Sequence, residues 1–365
     1  MADPSEGGRL LIILAQLEEG MDKLFLPLGL LYLGDTLRKA GHEVEIFHEH
    51  GTNENIDELI NRIKTCKPEW IGFSVSTGPQ LSPAIEASKR IKNETDAQVV
   101  WGGMHTTMVD GVENEPYVDI AVKGEGEAWV TGKTVTDMDA FQPDWSLIDA
   151  ERYGSTIHLV TSRGCTHRCG FCYSPIVWER RWKAHSVNKV LEIAREYPIE
   201  IEKVEFRDDY FFTDRKRGVK ILNELNLPWD STVRADSALR SLLLECNILP
   251  TRFAIGVESA SQRLLDMMTK DIKVEDIFTA LDTLEEFGVD SYLTFIVNLP
   301  TETPEEKELT IEMANKIERE YRATCSVKPY RCYPGTALFK LAVREGFQPP
   351  RTTEEWAEYA LKVWK

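Results

Sequence analysis

Three cysteines, Cys165, Cys169 and Cys172, stand four and three residues apart in the segment TSRGCTHRCGFCYSP, directly after an apolar run at 157–160. Thiolates at such spacing suit a cubane [4Fe–4S] cluster, which has four irons and usually takes four cysteine ligands. A loop that supplies three ligands leaves one iron open, and an open coordination position is typical of a catalytic metal. The spacing therefore predicts a cluster with a position for a non-protein ligand.

Two other uses of the cysteines have to be weighed. Either His167 or His185 could complete a structural Cys3His zinc site with the triplet. A disulfide framework is disfavoured, because the chain has an odd number of cysteines, seven, and those outside the loop are scattered. This usage indicates a reducing, intracellular environment. The scattered cysteines are Cys66, Cys246, Cys325 and Cys332.

The cysteine spacing, with the aromatic Phe171 before the last cysteine, resembles the signature of the radical S-adenosylmethionine (SAM) enzymes. In that family SAM chelates the open iron through its amino and carboxylate groups, and an electron from the reduced cluster breaks the S–C5′ bond. The resulting 5′-deoxyadenosyl radical abstracts hydrogen. The resemblance thus implies a [4Fe–4S] cluster and SAM as cofactors.

Length and composition set the broad class. A chain of 365 residues suggests two domains. The formal net charge of −17 opposes binding to a phosphate backbone, so we expect no nucleic-acid partner. No apolar stretch of about 18 residues occurs, and the start MADPSEGGRL lacks a basic segment followed by an apolar one. We therefore expect neither a membrane span nor a signal peptide, and a cytoplasmic location.

The first part of the chain alternates between β-type runs and amphipathic stretches. Five such runs with intervening helices predict an α/β domain with a doubly wound, Rossmann-like parallel sheet. Ligands of these sheets bind at the carboxyl ends of the strands, and the residues that follow the third, fourth and fifth runs are small and polar. The runs lie at 10–14, 44–47, 70–75, 99–101 and 119–122, with helices at about 28–40, 56–66 and 81–93.

The absence of a GxGxxG motif after the first run argues against a dinucleotide site. Instead, the strings PLGLLYLGDTLRKAGHEVEIF, GFSVST, VVWGGMHTT and KGEGE resemble the cobalamin-binding domain that precedes one class of radical SAM domain. The similarity covers residues 1–127 and implies cobalamin as a further cofactor. The residues implied to bind it are Ser74, Ser76, Thr77, Gly102, Gly103, His105, Thr106, Gly124, Glu125 and Gly126.

Many cobalamin proteins carry a DxHxxG motif whose histidine ligates cobalt from below, and this chain has none. None of His42, His48, His50 and His105 stands in such a motif. The resemblance to the radical methylases implies that no protein histidine and no dimethylbenzimidazole ligates cobalt. We expect His105 to be a loop residue near the corrin or a structural hydrogen-bonding group.

The alternation restarts after residues 128–155, which resemble the family's linker. Six β-type runs separated by helical patterns predict a (βα)6 partial TIM barrel over 156–348, with its chemistry at the strand carboxyl ends. A short C-terminal segment, 349–365, follows. The runs lie at 157–161, 204–208, 229–234, 252–257, 291–297 and 325–330.

Charged residues end several of these runs. Asp208 and Asp209 follow the second run, Arg234 and Asp236 the third, and Glu258 the fourth. Carboxylates accept hydrogen bonds from hydroxyl and ammonium groups, and arginine binds carboxylates bidentately. Asp208 and Asp209 could instead cap a helix or form a surface ion pair. The resemblance implies that SAM is bound by Phe171, Tyr173, Asp208, Arg234 and Glu258, with the two aromatic residues near the adenine.

The fifth run ends in VNLPTET, where Asn298 and Thr301 stand in place of glycines that are usual in relatives.

These features together predict a cobalamin-dependent radical SAM enzyme, a methyltransferase that acts on an unactivated carbon or phosphorus centre. The substrate radical would take a methyl group from methylcobalamin, and the cofactors rather than side chains would carry the chemistry. A cyclase or ring-rearranging enzyme with the same cofactors remains an alternative, as does a zinc-binding structural module. The partners we expect are a small-molecule or peptide substrate and an electron donor such as flavodoxin or ferredoxin.

Overall fold

The structure, a computed structural model, describes residues 8–20, 23–236 and 238–364. Its described residues form two units, one within Met1–Gly154 and Pro349–Lys365 and the other within Ser155–Gln348. In the described part of the chain, no helix is both long and apolar enough to cross a membrane. The expectation that no signal peptide is present rests largely on residues 1–7, which lie outside the described residues.

The first unit is built on a five-stranded sheet in which every strand pairs in parallel with its neighbours. The strand order is β2-β1-β3-β4-β5, so the order reverses between β1 and β3. This arrangement confirms the predicted doubly wound parallel sheet. Its strands are β1 (Leu11–Glu18), β2 (Glu43–His50), β3 (Trp70–Ser74), β4 (Gln98–Gly102) and β5 (Ile120–Ala121).

Helices of this unit pack in two groups, α1 with α5 and α2 with α3, as expected for the two faces of a doubly wound sheet. Ile12 and Leu14 alternate along β1 and join Leu30 and Leu37 of α1 in one buried apolar cluster. The helices are α1 (Leu28–Lys39), α2 (Asn53–Cys66), α3 (Leu81–Glu94), α4 (Met104–Met108) and α5 (Gly126–Thr131).

The second unit contains a six-stranded sheet in the order β13-β12-β11-β10-β9-β6, again parallel throughout, and a separate two-stranded antiparallel ladder of β7 and β8. The six parallel strands confirm the predicted partial barrel. The ladder was not predicted. The strands are β6 (Thr156–Leu159), β7 (Ser162–Arg163), β8 (Lys183–Ala184), β9 (Lys203–Phe206), β10 (Trp229–Val233), β11 (Arg252–Glu258), β12 (Asp290–Val297) and β13 (Ala323–Pro329).

Several helices of this unit begin at local capping signals. Ser186, Asp214 and Ser261 each accept a hydrogen bond from a backbone N–H of the first turn that follows. Thr303 and Glu306 form a reciprocal capping box. The helices are α6 (Ser174–Val177), α7 (Val187–Arg195), α8 (Arg215–Leu225), α9 (Leu239–Glu245), α10 (Gln262–Met267), α11 (Val274–Phe287), α12 (Pro304–Glu320) and α13 (Ala337–Arg344).

The C-terminal segment forms helix α14 (Thr353–Trp364), which packs on α3 of the first unit. The backbone N–H of Thr353 donates to Glu115 Oε1 at 3.1 Å, and Lys89 Nζ lies 2.8 Å from Glu354 Oε1. Residues 349–365 therefore join the first unit even though the barrel precedes them in the chain.

Candidate active site

The cysteine loop starts from the carboxyl end of β6, where the barrel geometry places chemistry. The ladder of β7 and β8 closes its base, with Ser162 opposite Ala184 and Arg163 opposite Lys183. Gly164 follows β7 with a φ of +89°, and an added Cβ would lie 1.9 Å from the carbonyl oxygen of Arg181. Only glycine fits this contact, because L side chains rarely adopt this backbone conformation and the neighbouring atom is backbone.

Replacement of Gly164 by alanine is expected to displace the β7–β8 hairpin and impair cluster loading. Gly288→Ala is the matched control in the same unit, because Gly288 has a φ of +68° but meets only Arg322 Nη1, at 3.9 Å. Both variants introduce backbone strain. In Gly164→Ala alone, steric overlap should lower the free energy of unfolding by about 2 kcal/mol more. Urea unfolding measures the stability of each variant, and iron content after reconstitution measures cluster loading. Equal losses of stability and of iron in the two variants would contradict the prediction.

Two carboxylates at the end of β9 brace the start of the loop. Asp208 is buried, and its oxygens accept from the backbone N–H of Thr161 at 3.0 Å, from Thr161 Oγ1 at 2.8 Å and from Ser162 Oγ. Asp209 Oδ2 accepts from the backbone N–H of Gly164 at 2.9 Å. Because both oxygens of Asp208 accept hydrogen bonds from the loop, this residue holds the start of the loop in place, and its contact with SAM stays a prediction.

Arg217, on α8, adds further hydrogen bonds to this network. Its Nη2 donates to the backbone oxygen of Thr161 at 2.7 Å, and its Nε donates to the backbone oxygen of His185 at 2.7 Å. The guanidinium therefore joins the residue that precedes β7 to the residue that follows β8. The alternative of a helix cap or surface ion pair for Asp208 does not describe this buried network.

The three cysteine thiols are free and partly buried. Burial raises the pKa of Cys172 to about 12 and also raises that of Cys165. Thiolates form here only if positive charge compensates for desolvation, and bound iron supplies that charge. Among the described residues, no three His, Cys, Asp or Glu side chains converge on a site for one metal ion. Three partly buried thiols in one loop are the ligands that a [4Fe–4S] cluster would take here.

Arg234, at the end of β10, adds positive charge beside the cysteines. Its Nη1 lies 3.9 Å from Cys169 Sγ, and its Nε donates to Asp236 Oδ1 at 2.9 Å. Nη2 also donates to the backbone oxygen of Lys270. Arg234 thus connects the cysteine loop with the segment that follows α10. A guanidinium in this place favours an anionic cluster.

Glu258, the last residue of β11, forms a buried ion pair with Lys270, whose Nζ lies 2.7 Å from Glu258 Oε1. The ammonium group also lies 5.6 Å from the centre of the Phe171 ring, so it links Glu258 to the cysteine loop. Glu258 has a φ of +70°. An added Cβ on Gly256 would lie 2.3 Å from Glu258 Oε1, so a larger residue there would force the side chains of the pair to shift.

Tyr173 is the remaining residue implied to bind SAM. Tyr173 is partly exposed, and its ring meets that of Tyr333 edge-on at 6.4 Å between centroids. Asn298 and Thr301, after β12, have φ values of +60° and +65°. Both positions therefore have the left-handed backbone conformation that glycine adopts without cost.

In the first unit, hydrogen bonds join the loops that follow β3, β4 and β5. Thr77 Oγ1 lies 2.8 Å from His105 Nδ1, and the backbone N–H of His105 donates to Val75 at 2.9 Å. The backbone N–H of Gly124 donates to Thr107 Oγ1 at 3.0 Å. The structure therefore brings the residues predicted to bind cobalamin to one edge of the sheet. These are Ser74, Ser76, Thr77, Gly102, Gly103, His105, Thr106, Gly124, Glu125 and Gly126.

This edge has properties that suit a large, flat, amide-rich ligand such as a corrinoid. His105 Nε2 and Thr106 Oγ1 are buried and have no hydrogen-bond partner within the described residues. Gly103, with a φ of +96°, leaves no room for a Cβ, which would lie 2.8 Å from the backbone oxygen of Val75. Gly124 has no atom within 4 Å of its Cβ position, so backbone is open to a ligand there. The residues present therefore fit cobalamin.

Acid is expected to destabilise the first unit through His105. Burial lowers the pKa of this imidazole to about 3, whereas an unfolded histidine titrates near pH 6.5. The stability present above pH 6.5 is therefore lost as the pH falls towards 3, at up to about 1.4 kcal/mol per pH unit. The free energy of unfolding, measured in urea at several pH values, should fall less with acid in His105→Gln than in the wild type.

The matched control for this experiment is His50→Gln, which removes a less buried imidazole from the same unit. It should retain the acid-dependent loss of the wild type. An unchanged slope in His105→Gln would contradict the prediction.

Two residues of the candidate sites were missed by sequence reasoning. Lys270 lies twelve residues beyond Glu258, after a helix, and Arg217 lies inside a basic segment that reads as a solvated surface. No spacing rule links either residue to the cysteine loop. Only helical periodicity, which places Arg217 on the α8 face that carries the buried Gly218 and Ile221, offered a partial signal.

Two family models match the chain. Residues 159–314 match the radical SAM superfamily, and residues 23–131 match the B12 binding domain. The chain therefore carries a radical SAM domain, with a B12 binding domain ahead of it. Both resemblances drawn from the sequence, and the three cofactors they imply, are confirmed.

Relatives of the chain include an uncharacterized methyltransferase of Pyrococcus horikoshii, 28% identical over 91% of this chain and 81% of the relative. An anaerobic magnesium-protoporphyrin IX monomethyl ester cyclase of Rubrivivax gelatinosus is 26% identical over 79% of this chain and 61% of the cyclase. Among solved structures, the radical SAM methyltransferase TsrM of Kitasatospora setae superposes with a TM-score of 0.68 at 18% identity. That superposition covers 90% of this chain and 74% of TsrM, and it shows a shared fold.

Proposed function

We propose that the chain is a cobalamin-dependent radical SAM methyltransferase that acts on an unactivated carbon or phosphorus centre of a small molecule. The observation that carries this proposal is the pairing of two cofactor domains in one chain. The cysteine loop follows the first barrel strand, and the small, polar loops of the first unit gather at the carboxyl edge of its sheet. The two domains differ in chemistry, and methyl transfer to an unreactive centre needs both.

Each half of the chain has a defined task. Cys165, Cys169 and Cys172 would hold the cluster, and Glu258 and Arg234 would contact the polar groups of SAM. The buried Glu258–Lys270 pair places opposite charges together next to the cysteine loop, as recognition of a zwitterionic amino-acid group requires. When bound, the cofactors supply a radical that abstracts hydrogen and a methyl group that can be transferred. The protein contributes orientation and exclusion of water.

A cyclisation or ring-rearrangement reaction with the same cofactors is the second candidate. It is favoured by the similarity to the anaerobic magnesium-protoporphyrin cyclase. Methyl transfer is preferred because the relative named as a methyltransferase aligns over more of its own length, 81% against 61%. The electron that starts either reaction would come from a small donor such as flavodoxin or ferredoxin, and we place the protein in the cytoplasm.

The experiment that tests the proposal needs no substrate. The chain is reconstituted anaerobically with iron, sulfide and hydroxocobalamin, reduced, and incubated with SAM that carries an isotopic label in its methyl group. A methyltransferase should move the label to the bound corrinoid and release S-adenosylhomocysteine. Formation of 5′-deoxyadenosine without any labelled corrinoid would favour the cyclase, and stoichiometric zinc in place of iron would overturn both.

A further inference from the structure

A buried polar cluster lies at the carboxyl ends of β1 and β2, outside the set of residues predicted to bind cobalamin. Its centre is Glu18, the last residue of β1, which is 7% exposed. Glu18 Oε1 accepts from Gln16 Nε2 at 2.6 Å and from Gln80 Nε2 at 3.2 Å. Glu18 Oε2 is also buried but has no hydrogen-bond partner within the described residues. A buried carboxylate oxygen without a donor is costly, so a ligand or water is expected there.

His48, on β2, lies beside this carboxylate and also has a buried polar atom without a hydrogen-bond partner among the described residues. Its Nε2 lies 3.9 Å from Glu18 Oε1, too far for a hydrogen bond, and has no other partner among the described residues. On the other side of the ring, Nδ1 lies 2.8 Å from the hydroxyl of Tyr153, and the two rings stack at 5.8 Å. We assign the Tyr153 hydroxyl as the donor to Nδ1, which places the ring proton of His48 on Nε2. The cluster then presents one acceptor, Glu18 Oε2, and one donor, His48 Nε2–H.

The cluster is continuous with the edge already described. Gln80 donates to Glu18 and accepts from the backbone N–H of Ser76 at 2.9 Å, so one side chain joins the end of β1 to the loop after β3. The strand order reverses between β1 and β3, which is where ligands of such sheets bind. The free acceptor and donor therefore lie at the edge where a corrinoid would bind.

We propose that Glu18 and His48 recognise a primary carboxamide, a propionamide side chain of the corrinoid, in an inference that rests on the proposed function. The amide N–H would donate to Glu18 Oε2, and its carbonyl oxygen would accept from His48 Nε2–H. A primary amide matches both groups, whereas a carboxylate would be repelled by Glu18. Propionamides are the longer amide arms of the corrin ring and extend further from it than the acetamides.

The test compares cyanocobalamin with its three monocarboxylic acids, in each of which one propionamide is replaced by a carboxylate. Full-length chain with its cluster reconstituted is titrated with each corrinoid, and binding is followed by quenching of tryptophan fluorescence. Wild-type chain should bind one of the three acids on the order of tenfold more weakly than the other two, because it alone brings a second carboxylate against Glu18. Glu18→Gln should reduce that ratio to about one.

Glu19→Gln is the matched control, since it removes the same charge from the neighbouring, exposed residue. It should keep the wild-type ratio. His48→Gln provides a second variant that should weaken binding of cyanocobalamin while the discrimination by Glu18 remains. The inference would be overturned if the three acids bound the wild type equally, or if Glu18→Gln kept the wild-type ratio between the affinities of the acids. Either result would leave the proposed function standing. A wild-type chain that binds no corrinoid would overturn both.

Discussion

Cys169→Ala is expected to abolish the cluster and with it all cleavage of SAM. Cys169 is the middle residue of the triplet, and its sulfur lies 3.9 Å from Arg234 Nη1. Two remaining cysteines cannot hold a cubane that already lacks a fourth protein ligand. After anaerobic reconstitution, iron and sulfide should fall from about four per chain to near zero. Formation of 5′-deoxyadenosine should fall by several orders of magnitude.

Cys66→Ala is the control, because Cys66 is exposed at the end of α2, in the other unit. It should retain the iron and the activity of the wild type. Retention of iron and sulfide by Cys169→Ala would contradict the assignment of the cluster to this loop. Loss in both variants would indicate that general damage to the fold, not ligation, is being measured.

Lys270→Met should strongly destabilise the second unit. The side chains of Lys270 and Glu258 are 8% and 6% exposed, and their charged atoms lie 2.7 Å apart. Removing the cation leaves a buried carboxylate without a partner, which costs about 3 kcal/mol. The loss can be measured as the free energy of unfolding in urea. Because Lys270 also faces Phe171, we expect binding of SAM to weaken as well.

A double-mutant cycle separates the pair from its surroundings. Glu258→Gln combined with Lys270→Met removes both charges, so the double variant should be more stable than Lys270→Met alone. Lys316→Met serves as the surface control, since Lys316 and Glu320 are each 52% exposed and 3.9 Å apart, and this change should cost about 0.5 kcal/mol. A double variant less stable than either single variant would show that the pair is not the source of the effect.

The cysteine loop could be assigned from the sequence because its information is local. Three residues within eight positions specify the ligands, and the apolar run before them specifies the strand they follow. The parallel sheets were also predictable, because alternating strands and helices of ordinary length permit few other arrangements. Small residues after β3, β4 and β5 marked the ligand edge of the first unit for the same reason.

The roles of the charged residues could not be predicted in this way. Asp208 stands at a strand end, where the sequence suggested a contact with SAM, yet its oxygens accept from Thr161 and Ser162. That choice depends on which neighbouring strand lies alongside, here β6 next to β9. The ladder of β7 and β8 could not be predicted from the sequence either, because strands of two residues are too short to show an alternating pattern.

The cofactor chemistry that the chain supports could therefore be predicted from the sequence, because the type and spacing of the ligands are local features of short segments. Tertiary structure decided how that chemistry is supported. It brought Lys270 to Glu258 and Phe171, and it gathered Glu18, His48 and Gln80 at one sheet edge from three separate segments. Such contacts depend on strand order and side-chain direction over long separations, and no pattern within a single segment encodes them.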